Sequence, residues 1–113
     1  MNPQNLLSWV LGGLVVFYLL TGLYLIAAPM HFYTTAPGVS DTGPYNSHFI
    51  IDVGFAFTLS ALAIAYGMRE RIKPLVVFGA SWLVSHGLFH LVLYIIEFLL
   101  RMTSLLVCLW SLV

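Results

Sequence analysis

The chain has 113 residues, 61% of them hydrophobic and 7% charged, with a mean hydropathy of +1.00. A soluble domain needs far more charge to cover its surface, so this composition describes a membrane protein whose first partner is the lipid bilayer. Four basic residues balance four acidic ones, and a net charge of zero offers no field to nucleic acid, which is excluded as a partner.

Leu6 to Ala28 is the first apolar run, interrupted only by Ser8, Thr21 and two tyrosines. It is long enough to cross a hydrocarbon core of about 30 Å as a helix. No Lys or Arg precedes Arg69, so the basic leader of a signal peptide is missing and the span is expected to be retained. Pro29 to Ser47 follows, with three prolines and two glycines, and reads as an extramembrane loop. Ser47 is the expected cap of a second span over about 48–68, with Asp52 near its positive end.

Arg69, Arg71 and Lys73 place three of the four basic residues in one short connection. The positive-inside rule assigns that connection, and with it the amino terminus, to the cytoplasm. The third span, about 75–100, starts with Pro74 in its first turn and runs outward, with Glu97 and Arg101 at its outer end. The apolar tail 103–113 is too short to cross as a regular helix and reads as a half-inserted segment or a truncated fourth span. The expected fold is all-α: one transmembrane helical bundle of three spans plus this tail.

Polar residues inside the spans carry what functional signal there is. His86 and His90 are four apart and project side by side from one helix face. Glu97 falls within about 20° of the same stripe. His48 and Asp52 form a second pair of the same spacing. If spans two and three are antiparallel neighbours, Asp52 lies about 6 to 8 Å below the outer interface, His90 about 10 Å and His86 about 16 Å. Stripes that face each other would then gather imidazoles and carboxylates in one column.

Ionised groups in hydrocarbon are costly and normally find partners. Three imidazoles and a carboxylate, offered as two pairs, suit Cu, Zn or Fe, so His48, Asp52, His86 and His90 are the expected metal ligands near the outer face. The HExxH signature of metalloproteases is absent. Haem ranks lower, because neighbours on one turn cannot hold opposite faces of one ring and three spans leave little room for a macrocycle. The alternative is a non-enzymatic accessory or assembly subunit, in which the Asp/His column is a structural clamp or proton relay and further membrane subunits or a second copy are the partners. No nucleophile triad, phosphate loop or dinucleotide motif is present, so the expectation leans away from an enzyme.

The remaining candidates read as structural. His31 is expected to anchor at the interface beside Tyr33, and Glu97 to pair with Arg101. Tyr18, Tyr24, Phe32, Tyr33, Tyr45 and Tyr94 read as an aromatic belt. Gly12, Gly13, Gly54 with Thr58, and Ala61 with Ala65 read as close-packing positions, and Cys108 as packing. The stretches PGVSDTGPYNSHFIIDVGFAF and GASWLVSHGLFHLV, within residues 36 to 93, resemble small uncharacterised bacterial integral membrane proteins with a TGPxNxHFxxDxG-like element and a later HxxxH-like element. That resemblance implies a bacterial inner-membrane protein, usually of four spans, and carries no activity; the short tail departs from it.

Overall fold

The computed structural model describes residues 2–110, apart from the side chains of residues 3, 4 and 109. Among these residues there are four α-helices and no strand: α1 (Pro3–Ala27), α2 (Pro29–Thr35), α3 (Ser47–Arg69) and α4 (Lys73–Trp110), with a 3-10 turn at Ser40–Thr42. Three of them, α1, α3 and α4, are long and apolar enough to cross a membrane. The chain divides into two units, Met1–Leu83 and Val84–Val113.

In the first unit α1 and α3 pack antiparallel. Tyr18 meets Phe57 with ring centroids 5.2 Å apart, and Leu25, in the last turn of α1, lies in one cluster with Ile50 near the start of α3. A Cβ placed on Gly54 would stand 2.9 Å from the carbonyl oxygen of Gly22, so the two backbones touch where neither residue has a side chain. Lipid removes the hydrophobic drive for helices to associate, and such close van der Waals contact replaces it. The opening of α4 also packs antiparallel against α3, and the two contacts share Phe57. Trp82 meets Phe57 edge to face at 5.1 Å, and Gly79 lies against Ser60 and Ala63. Leu25, Ile50, Phe57, Ala61, Ile64 and Leu83 are buried.

The α3–α4 connection closes in three residues. The Glu70 amide donates to Tyr66 O at 2.9 Å and the Ile72 amide to Gly67 O at 2.8 Å. Arg71 between them is left-handed at φ 58°, as the position after a helix end requires when the chain reverses this way.

Three expectations change. Pro29 to Ser47 is not all loop: Pro29 begins α2 in the first turn, where its fixed φ suits a helix and its missing N–H costs nothing. Thr34 and Thr35 then donate their hydroxyls back to carbonyls one turn earlier. The cap of α3 is Asn46 rather than Ser47, its Oδ1 accepting from the Phe49 amide at 3.1 Å. The apolar tail is no separate segment as far as Trp110, because it continues α4. Neither Gly nor Pro follows Gly87, and Thr103 and Ser104 return their hydroxyls to Leu100 and Arg101 carbonyls, so nothing breaks the helix. The tail residues 111–113 lie outside the described residues.

Candidate functional site

His48 and Asp52 stand on the first two turns of α3 and meet directly, Nδ1 to Oδ2 at 2.8 Å. Both are open, with side chains 87% and 60% exposed. The reason lies in the register of α3. Ile50, Gly54, Phe57, Ala61 and Ile64 are buried and share one face. At about 100° per residue, His48 and Asp52 fall on the opposite face, each separated by two residues from a buried position. Asp52 is therefore turned away from the face of α3 that α1 occupies, and stands within about 20° of Ala63, which Gly79 at the opening of α4 approaches. Phe55, Leu59 and Tyr66 share its side and are exposed, as lipid-facing positions of a span would be.

His86 and His90 lie on α4 in the second unit. Their rings are neighbours, with centroids 4.6 Å apart and planes at 73°, and the Phe89 ring lies 5.6 Å from His90. The spacing of four thus brings two imidazoles together on one turn. Two turns further on, Arg101 Nη2 donates to Glu97 Oε1 at 2.5 Å, the pairing expected from their spacing.

A third cluster was not legible in the sequence. The Tyr24 hydroxyl meets His31 Nδ1 and Thr35 Oγ1 at 3.4 Å, while Thr35 donates to the His31 carbonyl at 2.7 Å. His31 is tied to the end of α1 as well as lying near Tyr33. The contact depends on the chain's change of direction at Ala28, which helical periodicity cannot supply. Beside it, Tyr33 donates to Gly43 O at 2.9 Å and stacks edgewise on Tyr45 at 5.3 Å, fastening the 3-10 loop to α2.

Within either unit, no three His, Cys, Asp or Glu side chains among the described residues gather to hold a metal ion. Each pair supplies two donors, and a tetrahedral ion takes four. Compared with protein-family models, curated proteins and solved structures, the chain finds no match. What its helices establish is a membrane protein.

Proposed function

We propose that this protein binds a transition-metal ion, Cu, Zn or Fe, inside a bacterial inner membrane through His86 and His90, with His48 and Asp52 as a second candidate pair of ligands. The reading puts the Arg69–Lys73 connection and the amino terminus in the cytoplasm, following the basic residues of that connection. One observation carries it: two imidazoles stand ring to ring on a helix long and apolar enough to span a membrane. Ionisable groups at such positions are costly, and two on one turn form a ready chelate for a borderline-soft cation. Nothing in the chemistry calls for turnover of a substrate, and the protein is read as a binder.

The test is metal content of the full chain purified in mild detergent and measured by mass spectrometry. Stoichiometric Cu, Zn or Fe that disappears in the His86→Ala, His90→Ala double variant supports the proposal. A wild-type protein that stays empty after equilibration with each metal refutes it.

A second reading is favoured by the His48–Asp52 contact. Two groups that satisfy each other at 2.8 Å need no ion, which suits a polar clamp in an accessory subunit of a larger membrane complex. Migration of the tagged protein in a native gel of solubilised membranes separates the two, since an accessory subunit runs within a larger assembly and a self-sufficient binder does not.

A further inference from the structure

The net charge of zero conceals a separation of charge. In the α3–α4 connection Arg69, Arg71 and Lys73 stand against the single carboxylate of Glu70, which leaves that turn at +2 and the rest of the chain at the balancing −2. Arg69 Nε meets Glu70 Oε1 at 3.3 Å. Arg71 and Lys73 have no ion pair among the described residues, and all three cations are exposed.

The fold holds these cations together at one depth. Only Glu70, Arg71 and Ile72 join α3 to α4, and the Glu70 and Ile72 amides close the turn on the Tyr66 and Gly67 carbonyls. A Cβ on Gly67 would stand 3.0 Å from the Val76 amide nitrogen and 3.1 Å from the Ile72 carbonyl oxygen, so the two helices approach closely where they enter the connection. Each is long and apolar enough to cross a membrane. A turn this short between two spans puts Arg69, Arg71 and Lys73 at the membrane surface, level with the lipid headgroups. Toward the membrane interior the same faces become apolar. Leu62 and Tyr66 lie within about 60° of Arg69 on α3, and Val77 within about 40° of Lys73 on α4; all three are exposed.

We infer that the Arg69–Lys73 connection binds the phosphate headgroup of an anionic phospholipid. Cations with no carboxylate of their own take their counter-charge from outside the chain, and at this depth lipid phosphate is the anion at hand. The Arg71 guanidinium offers a planar fork to two phosphate oxygens, and Lys73 adds a point charge beside it. The acyl chains of the same molecule then lie along Leu62, Tyr66 and Val77, which a free phosphate ion would leave uncovered. A zwitterionic headgroup carries its own cation and gains little from a turn at +2. This inference needs α3 and α4 to span a membrane and does not rest on the metal reading.

The test is native mass spectrometry of the full chain in mild detergent, titrated with phosphatidylglycerol or with phosphatidylcholine of the same acyl chains. In detergent no bilayer orientation is at stake, so a change of charge cannot act by turning the chain over. Wild-type protein is expected to retain phosphatidylglycerol over phosphatidylcholine by about fivefold or more, the contribution of one basic residue near an anionic surface. Arg71→Gln with Lys73→Gln removes the preference, and Arg71→Lys with Lys73→Arg, which keeps both charges, preserves it. Arg101→Gln leaves it unchanged, since Arg101 is paired with Glu97. Chelator-treated protein keeps the preference, so failure of the metal reading and failure of this one are distinguishable. The inference is overturned if wild-type protein retains the two lipids equally, if the double Gln variant keeps the preference, or if the charge-keeping pair loses it. Displacement of the lipid by inorganic phosphate at constant ionic strength also overturns it, because the site then takes the free anion.

Discussion

Gly22 of α1 and Gly54 of α3 meet backbone to backbone: a Cβ added to Gly22 would stand 2.7 Å from the Gly54 carbonyl oxygen and 2.8 Å from the Thr58 amide nitrogen. Both obstacles are backbone or lie against it, so a methyl group can be accommodated only by moving the helices apart. Gly22→Ala is expected to destabilise the folded protein by about 1–3 kcal/mol, the range for overpacking a tight contact. Gly12 offers the control, since nothing lies within 4 Å of the same added atom. There Ala should be neutral, or stabilise by up to about 1 kcal/mol through helix propensity. Thermal unfolding of both variants in one detergent checks the contrast, and equal midpoints would dismiss the contact.

Arg71 holds a left-handed conformation at φ 58°, which is strained for any residue with a Cβ by about 1–2 kcal/mol. The Ile72 to Gly67 hydrogen bond locks it there. Arg71→Gly should therefore raise stability by about 1 kcal/mol, offset in part by the added freedom of glycine in the unfolded chain. Arg69 and Lys73 remain, so membrane orientation should not change. Thermal midpoint together with protease accessibility of tagged termini measures both.

The three long helices were legible because apolar runs beyond twenty residues leave no alternative in a bilayer, and Pro29 and Pro74 punctuate them. The third span was expected over about 75–100 with a separate apolar tail, whereas one helix runs on to Trp110. A charge does not stop a helix, and no proline follows Pro74 to do so. The cap was missed by one residue because Asn46 and Ser47 are both good capping residues and only the chain's entry angle chooses between them. For the candidate site, spacing identified the pairs His48 with Asp52, His86 with His90 and Glu97 with Arg101. It could not say which face of α3 packs. Ile50 and Gly54 decide that, and their burial depends on Gly22 and Leu25 from another helix, which a pattern internal to α3 does not contain.

The identity of the cap is itself testable. Asn46 Oδ1 accepts from the Phe49 amide at 3.1 Å, satisfying one of the N–H groups left without partners at the start of α3. Asn46→Ala should cost about 1 kcal/mol. Ser47→Ala, inside the first turn, should cost no more than a few tenths of a kcal/mol, as exposed substitutions away from special features do. Thermal unfolding of the two variants reads the difference; a larger loss at Ser47 would return the cap to that residue.

Asp52→Asn separates the two functional readings of the His48–Asp52 pair. The His48–Asp52 contact is exposed on both sides, and an ion pair in that setting contributes about 0–1 kcal/mol. The folded protein should therefore hardly notice the change. A metal centre should notice it strongly, because asparagine offers no anionic oxygen and a carboxylate ligand is lost outright; a fall in affinity of about tenfold or more is expected, at least as large as that for removing a group that only orients a ligand. Equilibrium dialysis against Zn or Cu, run beside thermal unfolding, supplies both numbers. Weakened metal with unchanged stability assigns Asp52 to the metal. A drop in stability with no metal bound in either protein assigns it to a clamp. Unchanged affinity in a metal-binding protein removes Asp52 from the ligand set and leaves the two imidazoles of α4 as its anchor.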